Sequence, residues 1–537
     1  MTIVASPTER FVPAVDSTIP WAKVAVPKRQ SRLASLGRRL GLSFLFAYLL
    51  FLPYFNTLAS TKNRRDLSYS FDGVLVSYLL VGALALLIAT LSGLADAVIV
   101  RVYPSRRQLV ARVLKAPVCA CAVLTACYMI LIHLPLPQLG QLISLYHHQY
   151  KLLWLVVTLA LIGVPGAWPC FARIGQTALL MFAPMPVVLL AYFAQFSAIG
   201  APPTPAPYLA AAATPPAVAI AARTGPVYFF VFDEWDYDET FRRSDARTEF
   251  PNLTALASTS HLFSNAHSTQ VFTEKSIPNI LFQANGDVRL DADGSTWIER
   301  NGQFADTTTL RPIHAQLASP DDLRIVIGRA LPYRRMLGSQ VDWVFELPYD
   351  NGQQLGLREQ FRALLFKSCF YSHLPIHRLF GLSHYHAEFH VFATEATHRQ
   401  TLTAISRGGA QLTAFIHYLL PHPPFYYTAN GVRPNFRTNE PPQHPGYRDN
   451  LAYLDRLIGE IVAAIRAAGH WETCSIIMTG DHGTLAHGTA SHDHDDARAR
   501  STAVPLVIKL PGQRERVDVG EAILTTDIAA WITARRR

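Results

Sequence analysis

The 537-residue chain predicts a membrane-embedded helical bundle of five spans followed by an α/β domain with a mostly parallel sheet. Three observations carry that prediction. Long apolar runs crowd the first 200 residues. The rest of the chain alternates short apolar strand-like runs with amphipathic stretches, the pattern of a parallel sheet covered on both faces. Charge divides along the same line: residues 1–200 hold 17 Lys/Arg and 5 Asp/Glu, residues 201–537 hold 31 and 34. A nucleic-acid binder carries its basic surface on the folded domain. Here the basic excess lies among the apolar runs, so no nucleic-acid partner is expected and the lipid bilayer is.

Residues 1–39 form a basic tail with Arg10, Lys23, Lys28, Arg29, Arg32, Arg38 and Arg39. The membrane domain, 40–200, holds apolar runs near 40–57, 73–95, 113–134, 152–170 and 176–197. Each approaches the ~20 residues that cross a bilayer core, and none shows the polar stripe of a soluble helix. Pro184 and Pro186 soften the limits of the last run. The second loop carries Arg101, Arg106, Arg107, Arg112 and Lys115. The first has only Lys62, Arg64 and Arg65, and the third only Lys151. The positive-inside rule then puts the N-terminus in the cytoplasm, and five crossings put everything after residue 200 outside. The basic leader is long and no small-residue cleavage site follows the first run, so a cleavable signal peptide is not expected.

Residues 201–224 are rich in Pro and Ala and read as a semi-rigid spacer. The second domain, 225–537, opens with "GPVYFFVFDEWDYDETF", a buried strand ending in Asp233 and Glu234. "CSIIMTGDHG" is a second strand, ending in Asp481 and His482, and "AVPLVIKLPG" a third. Between them the clearest helix repeats Leu451, Leu454, Ile458, Ile461 and Ile465, with Gly469 as its stop. Of the six cysteines, Cys119, Cys121, Cys127 and Cys170 lie in apolar stretches. Cys369 and Cys474 show no zinc-type spacing. Buried free thiols are expected, with a Cys369–Cys474 disulfide as the alternative.

In open α/β sheets, ligands gather at the carboxyl ends of strands. Asp and His donors there suit Zn or Mn, or with more oxygens Ca or Mg. The alternative is that these acids only cap helices. "FSNAHSTQVFTEKSIPNILF" lies between the two acid-ended strands. Thr273 opens a segment with Glu274, Ile277, Ile280 and Leu281, so a hydroxyl stands at a helix start. Beside a metal it can act as nucleophile, its anionic adduct favoured by the helix N-terminus; otherwise it is a capping residue. The His-rich stretch at 373, 377, 384, 386 and 390 and the run "SHDHDD" at 491–496 read as a surface segment and a solvated loop, with metal binding as the alternative. Trp235, Tyr426 and Tyr427 fit either a pocket lining or the core.

The order of these pieces resembles the alkaline phosphatase superfamily in its sulfatase-like branch. It runs from a strand ending in Asp, through a Thr/Ser–helix segment ~40 residues on, to "YLLPHPPFYY", "YRDNLAYLDRLIGEIVAAIRAAG", "TGDHG" and "VPLVIKLPG", over residues 226–530. A five-span anchor with an outer domain resembles the lipoteichoic acid synthases and phosphoethanolamine transferases of that branch. The resemblance implies an α/β sandwich of alkaline phosphatase/sulfatase type with one divalent metal ion, Zn or Mn before Ca or Mg. It implies Asp233, Glu234, Thr273, Asp481 and His482 as metal ligands and Thr273 as nucleophile. His422 would bind the substrate oxyanion, with His492 or His494 doing likewise or protonating the leaving group. It also implies a multi-pass protein of a bacterial-type inner membrane, its catalytic domain periplasmic or extracellular, transferring or hydrolysing phosphoesters of envelope lipid or glycan.

The sequence departs from that branch in several places. The Cys-x-Pro-Ser/Ala-Arg wording of formylglycine sulfatases is replaced by "SIPNI". Sulfuric-ester hydrolysis is therefore the alternative rather than the first reading, beside an inactive scaffold or sensor that keeps the fold. Relatives reading Thr-x-x-x-Val-Pro place the nucleophile at Thr273, and those reading Thr-x-Pro place it at Ser276. A three-residue offset on a helix is nearly one turn, so only one of the two is expected at ligand distance. The cysteines and the Gly-Thr-Ser-Thr wording of phosphoethanolamine transferases are missing. After "LTTDIAAWITARRR" a late strand is expected to be absent. Oligomeric state has no signal in the sequence.

Overall fold

The computed structural model describes residues 32–59, 71–102, 107–133, 152–164, 167–198, 225–291, 295–319, 321–347, 357–366, 385–433, 446–484 and 501–535. The basic tail up to residue 31 and the 201–224 spacer lie outside the described residues.

The membrane half comprises α1 (Arg32–Ala59), α2 (Phe71–Val102), α3 (Arg107–His133), α4 (Leu152–Gly163), α5 (Ala167–Met181) and α6 (Met185–Ala198). Four stretches are long and apolar enough to cross a bilayer: Ala34–Asn56, Asp72–Val102, Gln108–Cys127 and Trp168–Gln195. Four of the five predicted runs lie largely in these stretches, and the fourth run is described as the shorter apolar helix α4. The fifth run is lengthened to include α5, with a turn at 182–184 beside Pro184 and Pro186. At one end of the bundle Asp96 pairs with Arg39 and Lys115, at 3.1 and 2.8 Å, and Arg38 donates to Gln176. At the other end Tyr192 on α6 donates to the carbonyl of Ala59, the last residue of α1. The chain therefore leaves α6 on the side where α1 ends, opposite the Arg38–Arg39 end.

The second half carries an α/β domain around an eight-stranded sheet. Its strands are β1 (Val227–Phe232), β2 (His261–Phe263), β3 (Leu323–Arg329), β4 (Trp343–Leu347), β5 (Leu412–Tyr418), β6 (Ser475–Gly480), β7 (Leu506–Lys509) and β8 (Val517–Val519), in the order β8-β2-β7-β6-β1-β5-β3-β4. Only β7 runs against the others, antiparallel to β6 and β2. β1 sits at the centre, parallel to β6 and β5, and every one of its residues is buried. A strand with no polar alternation is what two covered faces require. Tyr228, Phe230 and Phe232 face the stripe Leu451, Leu454, Ile458, Ile461 and Ile465 of helix α10 (Gly446–Ala467). Val227, Phe229 and Val231 face Ile277, Ile280 and Leu281 of helix α7 (Thr273–Phe282).

Three further helices matter below: α8 (Leu357–Phe366), α9 (Tyr385–Arg407) and α11 (Ile528–Arg535). The C-terminal segment is packed on the domain. Ile523–Leu524 pairs with Ala266–His267, and Trp531 of α11 lies edge-on to Phe263 at 5.0 Å.

Candidate metal centre

The register of the sheet builds the site. Phe232 of β1 lies opposite Gly480 of β6, so the next residues, Asp233 and Asp481, emerge side by side. The hydrogen-bond ladder continues through them: the Asp233 amide donates to the Tyr418 carbonyl at 3.0 Å and the Asp481 amide to the Phe232 carbonyl at 3.1 Å. Asp233, Asp481 and His482 are buried, and one ligand atom from each lies within 4.8 Å of the others. Nδ1–H of His482 faces the Gly483 carbonyl at 2.8 Å, which leaves Nε2 as the lone-pair donor. Nε2 is 3.8 Å from Asp233 Oδ1 and 3.6 Å from Asp481 Oδ2.

Two hydroxyls from α7 complete this group. Thr273 Oγ1 donates to Asp233 Oδ1 at 3.1 Å and is 3.4 Å from His482 Nε2. Ser276 Oγ donates to Asp481 Oδ2 at 3.3 Å. The expectation that only one of them reaches the site is corrected. Residues three apart share a helix face, and the two acids stand on neighbouring strands, so each acid takes one hydroxyl. Ser276 is fully buried, whereas Thr273 at the first turn is only half-buried and open to an incoming group.

Glu234 sits beside the trio. It takes a left-handed backbone conformation, φ +60°, unusual for a residue with a side chain. That turn aims its amide at Asp481 Oδ1, at 3.0 Å, and its carbonyl at the Tyr447 hydroxyl, at 2.7 Å. Its carboxylate accepts from Thr484 at 3.4 Å and faces His422 Nε2 at 3.7 Å. Glu234 therefore bridges the metal group to the His422 loop. The His422 amide donates to the Asp233 carbonyl at 3.1 Å, which ties that loop to the end of β1.

The electrostatics match a cation site. Burial first, then the neighbouring Asp481, drives the Asp233 carboxyl well above its ordinary value, and burial raises Glu234 against the pull of His422 and His482. Burial pulls His482 down, but Asp481 and Asp233 outweigh it and the imidazole ends up raised. Two buried carboxylates this close are costly without a compensating charge. Two carboxylates, a neutral imidazole nitrogen and an adjacent hydroxyl are the donor set a divalent ion takes. Among the described residues this is the one such group of His, Cys, Asp and Glu.

Some residues of the site had escaped the sequence reading. Asn450 of α10 donates to the carbonyls of Pro421 and His422, both at 3.2 Å, and accepts from the Tyr427 amide. It is a buried polar residue on the apolar stripe of its helix, which is the signal that marks it. Tyr447, one turn earlier, buttresses Glu234. His417 of β5 is buried with its Nδ1 2.7 Å from the Tyr333 hydroxyl; burial holds its imidazole down to about 4, opposed by Asp481. Trp235 is core, edge-on to Phe232, and Tyr427 stacks on Tyr453 at 4.3 Å. Tyr426 is half-buried, against His390. Cys474 is a buried free thiol. His492, His494, Cys369, His373, His377 and His384 lie outside the described residues.

A family model described as Sulfatase matches residues 370–530, in agreement with the sulfatase-like resemblance of the sequence. Among curated proteins no sequence matches. Solved structures overlap more loosely. Ps i-CgsB in complex with k-i-k-neocarrahexaose is 15% identical, covering 58% of this chain and 72% of that one, at a TM-score of 0.40. The lipoteichoic acid synthase LtaP from Listeria monocytogenes is 11% identical, covering 58% and 71%, at 0.35. The C-terminal periplasmic domain of EcEptC from Escherichia coli is 12% identical, covering 58% and 82%, at 0.37. Overlaps of this size leave the functional argument to the site itself.

Proposed function

With the sulfatase-type domain as premise, we propose that the chain is a membrane-anchored, metal-dependent enzyme that transfers or hydrolyses phosphoesters of envelope lipid or glycan, with Thr273 as nucleophile. One observation carries the reading: a half-buried hydroxyl at the first turn of a helix, 3.1 Å from one acid of a buried Asp/Asp/His group. Asp233, Asp481 and His482 would hold a divalent ion, Zn or Mn before Ca or Mg, with Glu234 beside it. Such an ion would supply charge neutralisation at the phosphoryl oxygens and at the threonine oxygen.

The chain's own residues supply the rest. The Thr273 O–H points at Asp233, which directs its lone pairs outward. The N-terminal end of α7 offers its positive end to the developing negative charge. In-line attack by Thr273 Oγ1 on phosphorus forms an O–P bond as the threonine proton passes toward Asp233 Oδ1, and the P–O bond to the alcohol breaks, the alcohol taking a proton as it leaves. His422, half-exposed and next to Glu234, is placed to hold a phosphoryl oxygen or give that proton. His492 and His494 remain candidates for the same work. A second alcohol, or water, then takes the phosphoryl group from Thr273. The departure from the formylglycine wording favours phosphorus over sulfur.

The bundle supports the placement in the membrane. Its exit beside Ala59, opposite Arg38 and Arg39, fits a cytoplasmic N-terminus and an outer catalytic domain. Intact-mass analysis of the purified chain after incubation with phosphatidylglycerol and phosphatidylethanolamine vesicles tests the whole reading. A phosphorus-containing adduct that maps to Thr273 and vanishes on chelation is expected. Full metal occupancy with an adduct on another residue, or no divalent ion at all, overturns it.

A further inference from the structure

α8 belongs in sequence to the catalytic half, yet it is buried in the membrane bundle. Leu364 and Leu365 are buried in one apolar cluster with Tyr54, Phe55, Leu58 and Val74 of α1 and α2. Gln360, 3% exposed, points into the same contact and donates to the Gly73 carbonyl and, at 2.9 Å, to Ser77 Oγ. A buried amide is stable only where its hydrogen bonds are met, and these two are met by α2. The contact is thus specified by chemistry as well as by apolar area. It lies at the end of the bundle where α1 finishes and α2 begins.

The opposite face of α8 leads to the candidate site. Arg362 pairs with Glu388 of α9 at 2.6 Å and lies over the Tyr385 ring at 5.4 Å. Two residues after Glu388, His390 Nδ1 is 3.3 Å from an Arg329 guanidinium nitrogen at the carboxyl end of β3. Its ring stands edge-on to Tyr426, 5.7 Å away, just beyond the loop that carries His422. Residues 385–390 span only about 7.5 Å along a helix. The rim of the site is therefore less than two helical turns from the helix that docks on the membrane bundle.

Resting on the phosphoester reading above, we propose that α8 clamps the catalytic domain to the ends of α1 and α2 and holds the Tyr426–His422 rim at the bilayer surface, so that the enzyme is selective for phosphoesters anchored in lipid. Tethering site and substrate to one plane raises their effective concentration, and a loosened clamp loses that gain. Gln360 and Leu364 are then positioning residues.

The test uses the full chain in phosphatidylglycerol/phosphatidylethanolamine vesicles and compares headgroup release from tail-labelled lipid with hydrolysis of soluble bis(4-nitrophenyl) phosphate. The paired substitution Gln360→Ala with Leu364→Glu should cut lipid turnover about tenfold and leave the soluble ester within about twofold. A fluorophore on Tyr426→Cys should be quenched by headgroup-labelled lipid, and the paired substitution should abolish that quenching. Ser77→Cys with Gln360→Cys, bridged by a short bis-maleimide, should cross-link and keep the quenching. The proposal falls if lipid and soluble rates drop together, if both stay unchanged, if the cysteines do not cross-link, or if quenching ignores the clamp. If the parent chain turns over neither substrate, the phosphoester reading fails, and the quenching and cross-linking still decide whether α8 holds the rim at the membrane.

Discussion

Thr273 and Ser276 both touch the acids of the candidate site, and their substitutions separate chemistry from support. Thr273→Ala removes the half-buried hydroxyl 3.1 Å from Asp233 and, with it, the atom that would carry the phosphoryl group. Loss of a nucleophile costs at least ~10³-fold in turnover, because the other hydroxyl of the site, Ser276, is fully buried and turned to Asp481. Ser276→Ala removes one hydrogen bond, at 3.3 Å, to a fully buried carboxylate. Hydrogen bonds to charged groups contribute about 1.5–3 kcal/mol, and a long one lies at the low end. About 1.5 kcal/mol is close to tenfold, expressed as weaker metal retention or slower turnover. The assay is soluble phosphodiester hydrolysis with metal content measured on the same preparations. Thr273→Ala should keep its metal and lose activity, and Ser276→Ala should keep most of its activity. An inactive Ser276→Ala beside an active Thr273→Ala would refute the assignment and make Ser276 the nucleophile.

Further outcomes follow from the same geometry. Asn450→Leu frees the loop that carries His422 and should lower kcat/KM about tenfold or more without changing the far-ultraviolet circular dichroism. A β-carbon at Gly328 would overlap the Tyr333 ring, so Gly328→Ala should destabilise the domain by about 1–3 kcal/mol, read from denaturant midpoints, and disturb the Tyr333–His417 pair. Burial lowers the His314 imidazole from 6.5 to about 4, so the unfolded chain takes up its proton first. The stability it contributes is complete above the unfolded value and is lost as pH falls through the folded one. Between pH 7 and 4.5 the parent chain should therefore lose about 2 kcal/mol more than His314→Gln in denaturant titrations. Equal losses in the two would discount His314.

The Asp/Asp/His group was legible because apolar strands that stop abruptly at an acid are local patterns. Asp233 and Asp481–His482 each end six buried residues, and Thr273 begins an apolar helix. What escaped was non-local. Asn450 and Tyr447 act on residues that arrive from other elements. Ser276 was read only as a competitor of Thr273, because helix periodicity alone could not say that two acids on adjacent strands would await two hydroxyls. The apolar helices were legible by composition, and among the described residues four are long enough to cross a bilayer. α8 left no mark in the hydropathy, since its partners lie far earlier in the chain: Gln360 and Gly73 are 287 positions apart.

The ladder that runs on through Asp233 and Asp481 has a further consequence. Their spacing is the spacing of neighbouring strands, held by backbone hydrogen bonds at 3.0 and 3.1 Å, and side-chain adjustment cannot widen it. An ion of different radius has to be met by what surrounds the pair: the His482 ring, the hydroxyls of α7 and Glu234. A one-residue slip of β6 against β1 would bring Gly480 to the place of Asp481 and turn the acid to the opposite face of the sheet. Ion preference at such a site would thus be tunable by single substitutions on α7, while the side-by-side placing of the two acids is a property of strand register, which an insertion or deletion in β6 would undo.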